Sequence, residues 1–248
     1  VAVSGGYAYV TLGWGGLRVI DVSVPSLPRE VASMETSGYP YDVAVEGHYA
    51  YVVSGGHANV VTNASLLVFD VSAPSMPALV GTAVGLPGTG HFSAVAVADG
   101  YAYIADPDID SPDGGLRVID VSNPAAPVEV GFNHIPENPA DVAVSGDWAY
   151  VADEGEGLRI IDVSTPSMPV HRRFVETPGD ALGVAISGDY VYLADGESGL
   201  RVFDVSTPYT ATEVGVIDTP GEGLAVAVAG GYAQIADGRA GLLLMDAS

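Results

Sequence analysis

The acidic residues between positions 106 and 113 carry the clearest chemical signal in the sequence. Asp106, Asp108 and Asp110 alternate along the chain, and Asp113 follows just before a glycine. Carboxylates at alternate positions of a short loop can direct several hard oxygens at one point, which is the ligand set that Ca²⁺ prefers. The pattern departs from an EF-hand loop, because Ser111 lies where glycine is expected and no glutamate lies at the twelfth position. The sequence therefore predicts either a calcium site at the four aspartates or a solvated acidic loop.

Most other catalytic and metal-binding arrangements are excluded by residue type and spacing. The chain has no cysteine and no lysine, which rules out thiolate metal sites, a cysteine nucleophile, a Walker lysine and a Schiff base. The five histidines show neither His-x-His nor His-Glu-x-x-His spacing, and no Gly-x-Ser-x-Gly motif is present. We assign no catalytic and no cofactor-binding residue. An enzyme that uses a serine nucleophile or a carboxylate pair stays open, because such groups can assemble from distant segments.

A repeated phrase sets the organisation of the chain. Leu17–Asp21 reads Leu-Arg-Val-Ile-Asp, and related phrases follow at five further places. Segments of the Val-Ala-Val type accompany it and begin near residues 1, 43, 95, 142, 184 and 226, at successive spacings of 42, 52, 47, 42 and 42 residues. A period of this length is typical of a repeat architecture. The sequence therefore predicts six repeats in a single domain over residues 1–248, and we expect this domain to be part of a longer parent chain.

Each repeat is predicted to contain four short β-strands. In the fourth repeat, apolar and aromatic residues run over 142–145, 148–152, 158–163 and 169–176, separated by glycine, aspartate and proline turns. Four strands with hairpin-length links and no helical period are typical of a propeller blade. We therefore predict an all-β fold, a six-bladed β-propeller of four-stranded antiparallel blades whose last blade lacks its outer strand within this chain.

The polar residues that recur once per repeat are interpreted as structural. An aspartate closes each phrase and is followed in every repeat by Val-Ser or Ala-Ser, so we expect its carboxylate to accept backbone N–H bonds and fix the next turn. Arginine occupies the second position of the phrase in four repeats. We expect these arginines to pair with neighbouring carboxylates.

The phrases Leu-Arg-Val-Ile-Asp-Val-Ser and those of the type Tyr-Ala-Tyr-Val-Ala-Asp resemble the LVIVD-repeat family of β-propellers. The resemblance covers essentially the whole chain, with six copies in register. It implies a propeller fold and an extracellular or cell-envelope setting in bacteria or archaea, often as a module of a larger surface protein. It implies no catalytic residue.

Three segments in the second and third repeats are longer than their equivalents elsewhere: residues 54–65, 85–93 and 106–115. In a four-stranded blade, the link between the second and third strands emerges on the same face as the crossing to the next blade. The three insertions are therefore expected to lie on one rim, and clustered insertions often mark a binding face. Neutral length variation in exposed loops is the alternative. The candidate contact residues on this rim are His57, Asn59, Asn63, His91 and Phe92.

The charge balance limits the classes of partner. The chain has 31 acidic against 8 basic residues, for a formal net charge of -23. A nucleic-acid-binding surface needs clustered Lys and Arg, so nucleic acid is excluded as a partner, and anionic membranes are disfavoured for the same reason. No apolar run reaches the roughly 18 residues of a membrane span, so we expect no membrane insertion by this chain. The acidity fits secreted proteins or a high-salt habitat.

Together these features favour a non-enzymatic, extracytoplasmic binding or structural module of a surface or envelope assembly. Its partner would be a protein or a glycan at the rim over repeats two and three, with Ca²⁺ as the one cofactor that the residues suggest. The alternative hypothesis is a hydrolase with a carboxylate-lined site at the mouth of the central channel. The first carboxylates to test for that activity are Asp42, Asp141, Asp180 and Glu222.

Overall fold

The computed structural model describes residues 1–56, 64–84, 90–107 and 114–247. Within these ranges the chain forms β-strands and three short 3-10 turns, and no helix is long and apolar enough to cross a membrane. The chain divides into two compact units. The first unit comprises Val1–Asp113 and Arg117–Gly131, and the second comprises Gly114–Leu116 and Phe132–Ser248. The prediction of a single domain over residues 1–248 stays a prediction.

The first unit holds two complete antiparallel sheets and most of a third, each with its strands in sequence order. The first sheet consists of β1 (Ala2–Ser4), β2 (Tyr7–Thr11), β3 (Leu17–Asp21) and β4 (Arg29–Met34). The second consists of β5 (Tyr39–Glu46), β6 (Tyr49–Gly55), β7 (Ser65–Asp70) and β8 (Ala78–Val84). The third consists of β9 (Ala94–Ala98), β10 (Tyr101–Asp106), β11 (Gly115–Asp120) and β12 (Val128–His134).

The second unit holds the remaining three sheets. The fourth consists of β13 (Asn138–Ser145), β14 (Trp148–Glu154), β15 (Gly157–Asp162) and β16 (Val170–Glu176). The fifth consists of β17 (Gly183–Ser187), β18 (Tyr190–Ala194), β19 (Leu200–Asp204) and β20 (Thr212–Ile217). The sixth has three strands, β21 (Ala225–Ala229), β22 (Tyr232–Ala236) and β23 (Leu242–Asp246).

One sheet per repeat, each a meander of four short antiparallel strands, confirms the predicted fold class. The chain is an all-β, six-bladed propeller whose last blade has three strands. Local sequence explains the meander. Ser145 pairs with Trp148 across a two-residue turn, and Gly146 in that turn has a φ of 52°, which is the left-handed conformation that tight hairpins require.

The hydrophobic core lies between consecutive blades within each unit. In the first unit, Tyr51, Leu66 and Val68 of the second blade pack with Ile104 and Val121 of the third. In the second unit, residues of the fourth and fifth blades form an equivalent cluster. Because the two faces of a strand alternate, each middle strand contributes side chains to the layers on both of its sides.

The repeated aspartates fix turns, as their pattern predicts. Ser23 donates from its backbone N–H (3.0 Å) and its hydroxyl (2.6 Å) to Oδ1 of Asp21. The hydroxyl bond, followed by the backbone bond, holds the pKa of Asp21 below its ordinary value. In each of the next four repeats, the backbone N–H of the serine donates to the aspartate in the same way. The pKa of each aspartate is lowered, mainly by its hydrogen bond with the serine hydroxyl. The aspartates concerned are Asp70, Asp120, Asp162 and Asp204.

The third and fourth strands of a blade share a feature that the sequence pattern did not predict. The pairing register shifts between Val19 and Ile20 in the first blade and between Val68 and Phe69 in the second. The fourth and fifth blades show the shift at the same repeat position. A bulge at this point increases the local twist of the outer strand. The irregularity is therefore part of the repeat.

Candidate functional site

Four rings of the first unit form a continuous row, which we call the aromatic row. The indole of Trp14 meets the ring of Tyr39 edge-to-face at a centroid distance of 5.6 Å. Tyr39 lies 5.2 Å from Tyr41 at a tilt of 50°, and Tyr41 lies 4.8 Å from the imidazole of His91 at a tilt of 34°. Trp14 is 65 % exposed, and His91 is also exposed. Exposed aromatic groups that contact one another are typical of recognition surfaces.

The glycine-rich turn between β2 and β3 presents Trp14 to solvent. Gly13–Gly15 form a 3-10 turn, closed by the N–H of Leu12 donating to the carbonyl of Gly16 at 2.9 Å. Gly13 has a φ of 48°, and a Cβ at this residue would lie 2.5 Å from the ring of Tyr39. The Gly-Trp-Gly sequence therefore lets the tyrosine ring pass beneath the turn while the tryptophan stays at the surface.

Tyr39 and Tyr41 lie at the start of β5, where the register shifts between Pro40 and Asp42. The hydroxyl of Tyr41 donates to the carbonyl of Gly56 at 2.7 Å, and its own carbonyl accepts from the hydroxyl of Thr11 at 3.2 Å. Burial raises the pKa of Tyr41, with a smaller effect from Tyr39, so the phenol stays protonated at neutral pH. Tyr41 is held by the first and second blades together.

The crossing between the second and third blades positions His91. The N–H of Gly56 donates to the carbonyl of Gly90, and a Cβ on Gly55 would lie 2.0 Å from that same carbonyl oxygen. Phe92 is fully buried in the core cluster of the second and third blades. The crossing is thus fixed on both sides of His91, which leaves the imidazole ring against Tyr41.

The rim residues predicted from the sequence lie in different environments, or outside the residues that the structure describes. His91 takes part in the aromatic row, whereas Phe92 is a core residue and presents no surface to a partner. The other rim candidates, His57, Asn59 and Asn63, lie outside the described residues.

The calcium prediction falls mostly outside the described residues as well, since Asp108, Asp110 and Asp113 are not among them. Asp106 is described and buried, and its Oδ2 accepts from Nε of Arg117 at 2.6 Å. Within the described ranges, no group of three His, Asp or Glu side chains could hold a metal ion. Calcium binding stays a prediction.

Two of the four carboxylates predicted for a hydrolase, those of Asp42 and Asp141, accept hydrogen bonds from the backbone of the next blade. Oδ2 of Asp42 accepts from the backbone N–H of Val95 at 3.0 Å, and burial raises the pKa of Asp42. Oδ2 of Asp141 accepts from the N–H of Val184 at 2.8 Å. Each aspartate therefore ties the first strand of its own blade to the first strand of the next one. This arrangement does not favour a hydrolytic role.

Trp14, Tyr39 and Tyr41 were not predicted from the sequence, because no difference in loop length marks them and most tyrosines of the chain recur in each repeat. A comparison of residue types at equivalent positions of the six repeats would have identified Trp14 and Tyr39. The turn position of Trp14 holds Glu197 in the fifth repeat and Arg239 in the sixth, and the position of Tyr39 holds polar or charged residues in the last three repeats. Those residues are Asn138, Asp180 and Glu222.

A family model for the LVIVD repeat matches six segments that together cover nearly the whole chain: residues 1–36, 37–84, 89–133, 138–177, 178–219 and 220–248. The chain belongs to the LVIVD-repeat family. The resemblance of its phrases to that family is thereby confirmed. No curated protein matches this LVIVD-repeat protein significantly.

Solved structures share the fold at very low sequence identity. A computationally designed protein, Ika8, superposes with a TM-score of 0.66 and 10% identity over 98% of this chain and 81% of its own. A functionally unknown protein from Desulfotomaculum acetoxidans gives a TM-score of 0.72 and 10% identity over 93% of this chain and 72% of its own. These similarities show the fold of the LVIVD-repeat protein and carry no statement about its function.

Proposed function

We propose that this LVIVD-repeat propeller is a non-enzymatic binding module whose contact surface is the aromatic row together with the long loops of repeats two and three. The aromatic row is the observation that carries the proposal. Trp14 lies where the last two repeats hold Glu197 and Arg239. Tyr39 lies where the last three repeats hold the polar or charged residues Asn138, Asp180 and Glu222, so these two rings are departures from the repeat and not products of it. Departures from a repeat are where a specific contact is expected.

The geometry of the row favours a protein partner over a glycan. Successive rings meet at 90°, 50° and 34°, so they present edges and ridges and not one flat platform for sugar faces. Trp and Tyr are enriched at the energetic centres of protein–protein interfaces, where they fill pockets of the partner. With a formal net charge of -23, the chain attracts a basic partner surface and repels an acidic one.

An extracytoplasmic setting, in a surface or envelope assembly, completes the proposal. The acidity of the chain and its lack of lysine support it, as does the setting that the family resemblance implies. We expect the module to bind its partner without catalysing a reaction, since the carboxylates of Asp42 and Asp141 accept backbone hydrogen bonds.

Selection of a displayed peptide library on the immobilised chain tests the contact surface. We expect selected peptides to carry basic and aliphatic residues and to lose affinity about tenfold or more on Trp14→Ala or Tyr39→Ala, because truncating a central aromatic residue removes most of its contact. Tyr232→Ala is the matched control, since Tyr232 is an exposed tyrosine of the sixth blade outside the row.

Peptides that bind Trp14→Ala as tightly as the wild type would contradict the aromatic row as the contact surface. A neutral oligosaccharide panel separates the two partner classes. Trp148→Phe leaves Trp14 as the only tryptophan, so its fluorescence reports binding directly. A saturable change in this fluorescence with a neutral oligosaccharide, and none with the selected peptides, would show that the partner is a glycan and not a protein.

Calcium binding by Asp108, Asp110 and Asp113 is a second part of the proposal, supported by their alternate spacing. We expect calorimetry with CaCl₂ to give heat on the wild type and none on Asp108→Ala/Asp110→Ala, with a Tm that rises only for the wild type, since ligand binding to the native state is stabilising. Asp99→Ala is a control for general loss of charge. Absence of heat and of any Tm change in the wild type would remove calcium from the proposal.

A further inference from the structure

The outer strand of the fourth blade, β16, carries three consecutive basic residues at the point where the pairing register shifts. His171 and Arg173 each pair with a residue of β15, and Arg172 is the extra residue between them. All three are exposed. With Arg159 on β15 they form what we call the basic surface, which holds three of the eight basic residues of a chain whose net charge is -23.

The basic surface is a departure from the repeat. In the other four-stranded blades the three positions hold glutamate or leucine, then valine, then alanine or glycine, over residues 30–32, 79–81, 129–131 and 213–215. Only the fourth repeat reads His-Arg-Arg there. Departures of this kind are where a specific contact is expected.

The glutamate that His171 replaces has a defined role in the other blades whose phrase carries an arginine. Nη1 of that arginine donates to it at 2.9, 3.0 and 2.6 Å, in the pairs Arg18 with Glu30, Arg117 with Glu129 and Arg201 with Glu213. Arg159 donates from Nε to the buried Asp153, its one carboxylate partner within the described ranges. Arg159 therefore lacks the outer carboxylate that the repeat otherwise supplies.

His171 provides no countercharge in place of that glutamate. Desolvation of its imidazole, and then the charge of Arg159, lower the pKa of His171, so the ring is neutral at pH 7.5. Arg172 binds Asp162, with Nη2 3.0 Å from Oδ2. The side chain of Arg173 forms no ion pair with any residue that the structure describes. Arg159 and Arg173 can thus each bind a further carboxylate.

The fold accommodates Arg173 by a second change in the sequence. In the second blade this position is Gly81, and a Cβ there would lie 2.0 Å from the carbonyl oxygen of Pro124, in the linker between β11 and β12. The linkers of the first four repeats read Ser-x-Pro-x-x-Pro, whereas the linker between β19 and β20 reads Ser-Thr-Pro-Tyr-Thr-Ala. Its Tyr209 lies edge-to-face on Trp148 at 5.0 Å. A different linker therefore accompanies the arginine.

We propose that the basic surface binds an acidic segment of a partner protein. A glutamate of the partner pairs with Arg159, in the place that the outer-strand glutamate holds in other blades, and a second carboxylate pairs with Arg173. A guanidinium binds a carboxylate in a planar, bidentate geometry, which favours this pairing. A glutamate fits better than a sugar acid, because a glutamate on an extended strand is what the repeat itself places at this arginine.

The net charge of the chain does not oppose the binding of a short acidic segment. At physiological ionic strength, exposed charges more than about 8 Å apart are largely screened. Such a segment therefore responds to the arginines that it contacts. The proposal goes beyond the aromatic row and does not depend on it, since the two surfaces share no residue.

The probe is an acetylated and amidated peptide of four Glu-Ser repeats, labelled with fluorescein, and the matching Gln-Ser peptide is its neutral control. We expect saturable binding of the Glu-Ser peptide by fluorescence anisotropy at pH 7.5 and 0.15 M NaCl. The Gln-Ser peptide should bind at least tenfold more weakly, because it offers no carboxylate to the arginines.

The repeat supplies protein variants that should fold. His171→Glu/Arg172→Val/Arg173→Gly gives the fourth blade the residues that the fifth has at 213–215, and we expect it to bind the Glu-Ser peptide at least tenfold more weakly. His171→Glu alone should also weaken binding and raise the Tm by up to about 3 °C, because its carboxylate pairs with Arg159. Arg29→Ser, at an exposed arginine of the first blade, is the control for loss of positive charge and should bind as the wild type does.

Four outcomes would overturn the proposal. The first is no saturable binding of the Glu-Ser peptide by the wild type. The second is equal binding by the wild type and by the folded triple variant. The third is binding of tetragalacturonate and not of the peptide, since the partner would then be an acidic glycan. The fourth is a concentration-dependent dimer, detected by light scattering, that the triple variant abolishes and the peptide does not displace, since a second copy of this acidic chain would then be the occupant.

Discussion

Substitution of Arg117 by leucine is expected to lower the free energy of unfolding by about 3–5 kcal/mol, measured by urea denaturation. Arg117 is 2 % exposed and Asp106 is 1 % exposed. The guanidinium donates from Nε to Asp106 at 2.6 Å and from Nη1 to Glu129 at 3.0 Å. Removing the arginine breaks the ion pair of the buried Asp106 carboxylate, and breaking a buried ion pair by removing one partner is strongly destabilising.

The second repeat supplies the control for this prediction. The positions of Asp106 and Arg117 hold Ser54 and Leu67 there, and both of these residues are buried. We therefore expect Asp106→Ser/Arg117→Leu to recover most of the stability that Arg117→Leu loses, because a pair without charge has already been accommodated in this fold. A double variant as unstable as Arg117→Leu would show that the loss comes from packing and not from charge.

A second large effect is expected at Gly81, where alanine should lower the free energy of unfolding by about 3 kcal/mol. The added Cβ would lie 2.0 Å from the carbonyl oxygen of Pro124 and 3.1 Å from Cδ of Pro127, so the linker of the third repeat would have to move off β8. The nearest atom is a backbone carbonyl oxygen, which cannot move away by a change of rotamer as a flexible side chain can. Guanidinium or urea denaturation measures the change.

Gly215 is the matched control for Gly81, since both pair with the same position of the repeat phrase. A Cβ on Gly215 would meet only the side chain of Val202, at 3.5 Å. We expect Gly215→Ala to change stability by less than about 0.5 kcal/mol. Equal losses at the two glycines would contradict the view that the linker contact alone distinguishes them.

Sequence periodicity predicted most of the fold because its causes are local. The alternation of Val142–Ser145 with the turn at Gly146, and the Asp–Ser pair at Asp21, act over a few residues and recur in each repeat. The expected pairing of the phrase arginines with carboxylates is confirmed in all four repeats that carry them. The pairs are Arg18 with Glu30, Arg117 with Asp106, Arg159 with Asp153 and Arg201 with Asp195. The repeated register shift was missed, because no residue type marks it.

The candidate site was predicted only in part. His91 was selected from the length of its crossing, and it does contribute to the aromatic row. Phe92, chosen by the same argument, turned out to anchor that crossing in the core. An apolar residue in a long loop has the same sequence signal whether it contacts a partner or the chain's own interior.

The sequence by itself determined the architecture of the chain: six repeats, their strands and their turns. Those features depend on residues that are neighbours along the chain. Only the tertiary structure decided which surfaces are covered, because that depends on contacts between residues of different repeats. It brought Trp14 to Tyr39 and Tyr41 to His91, and it placed a linker over the fourth blade.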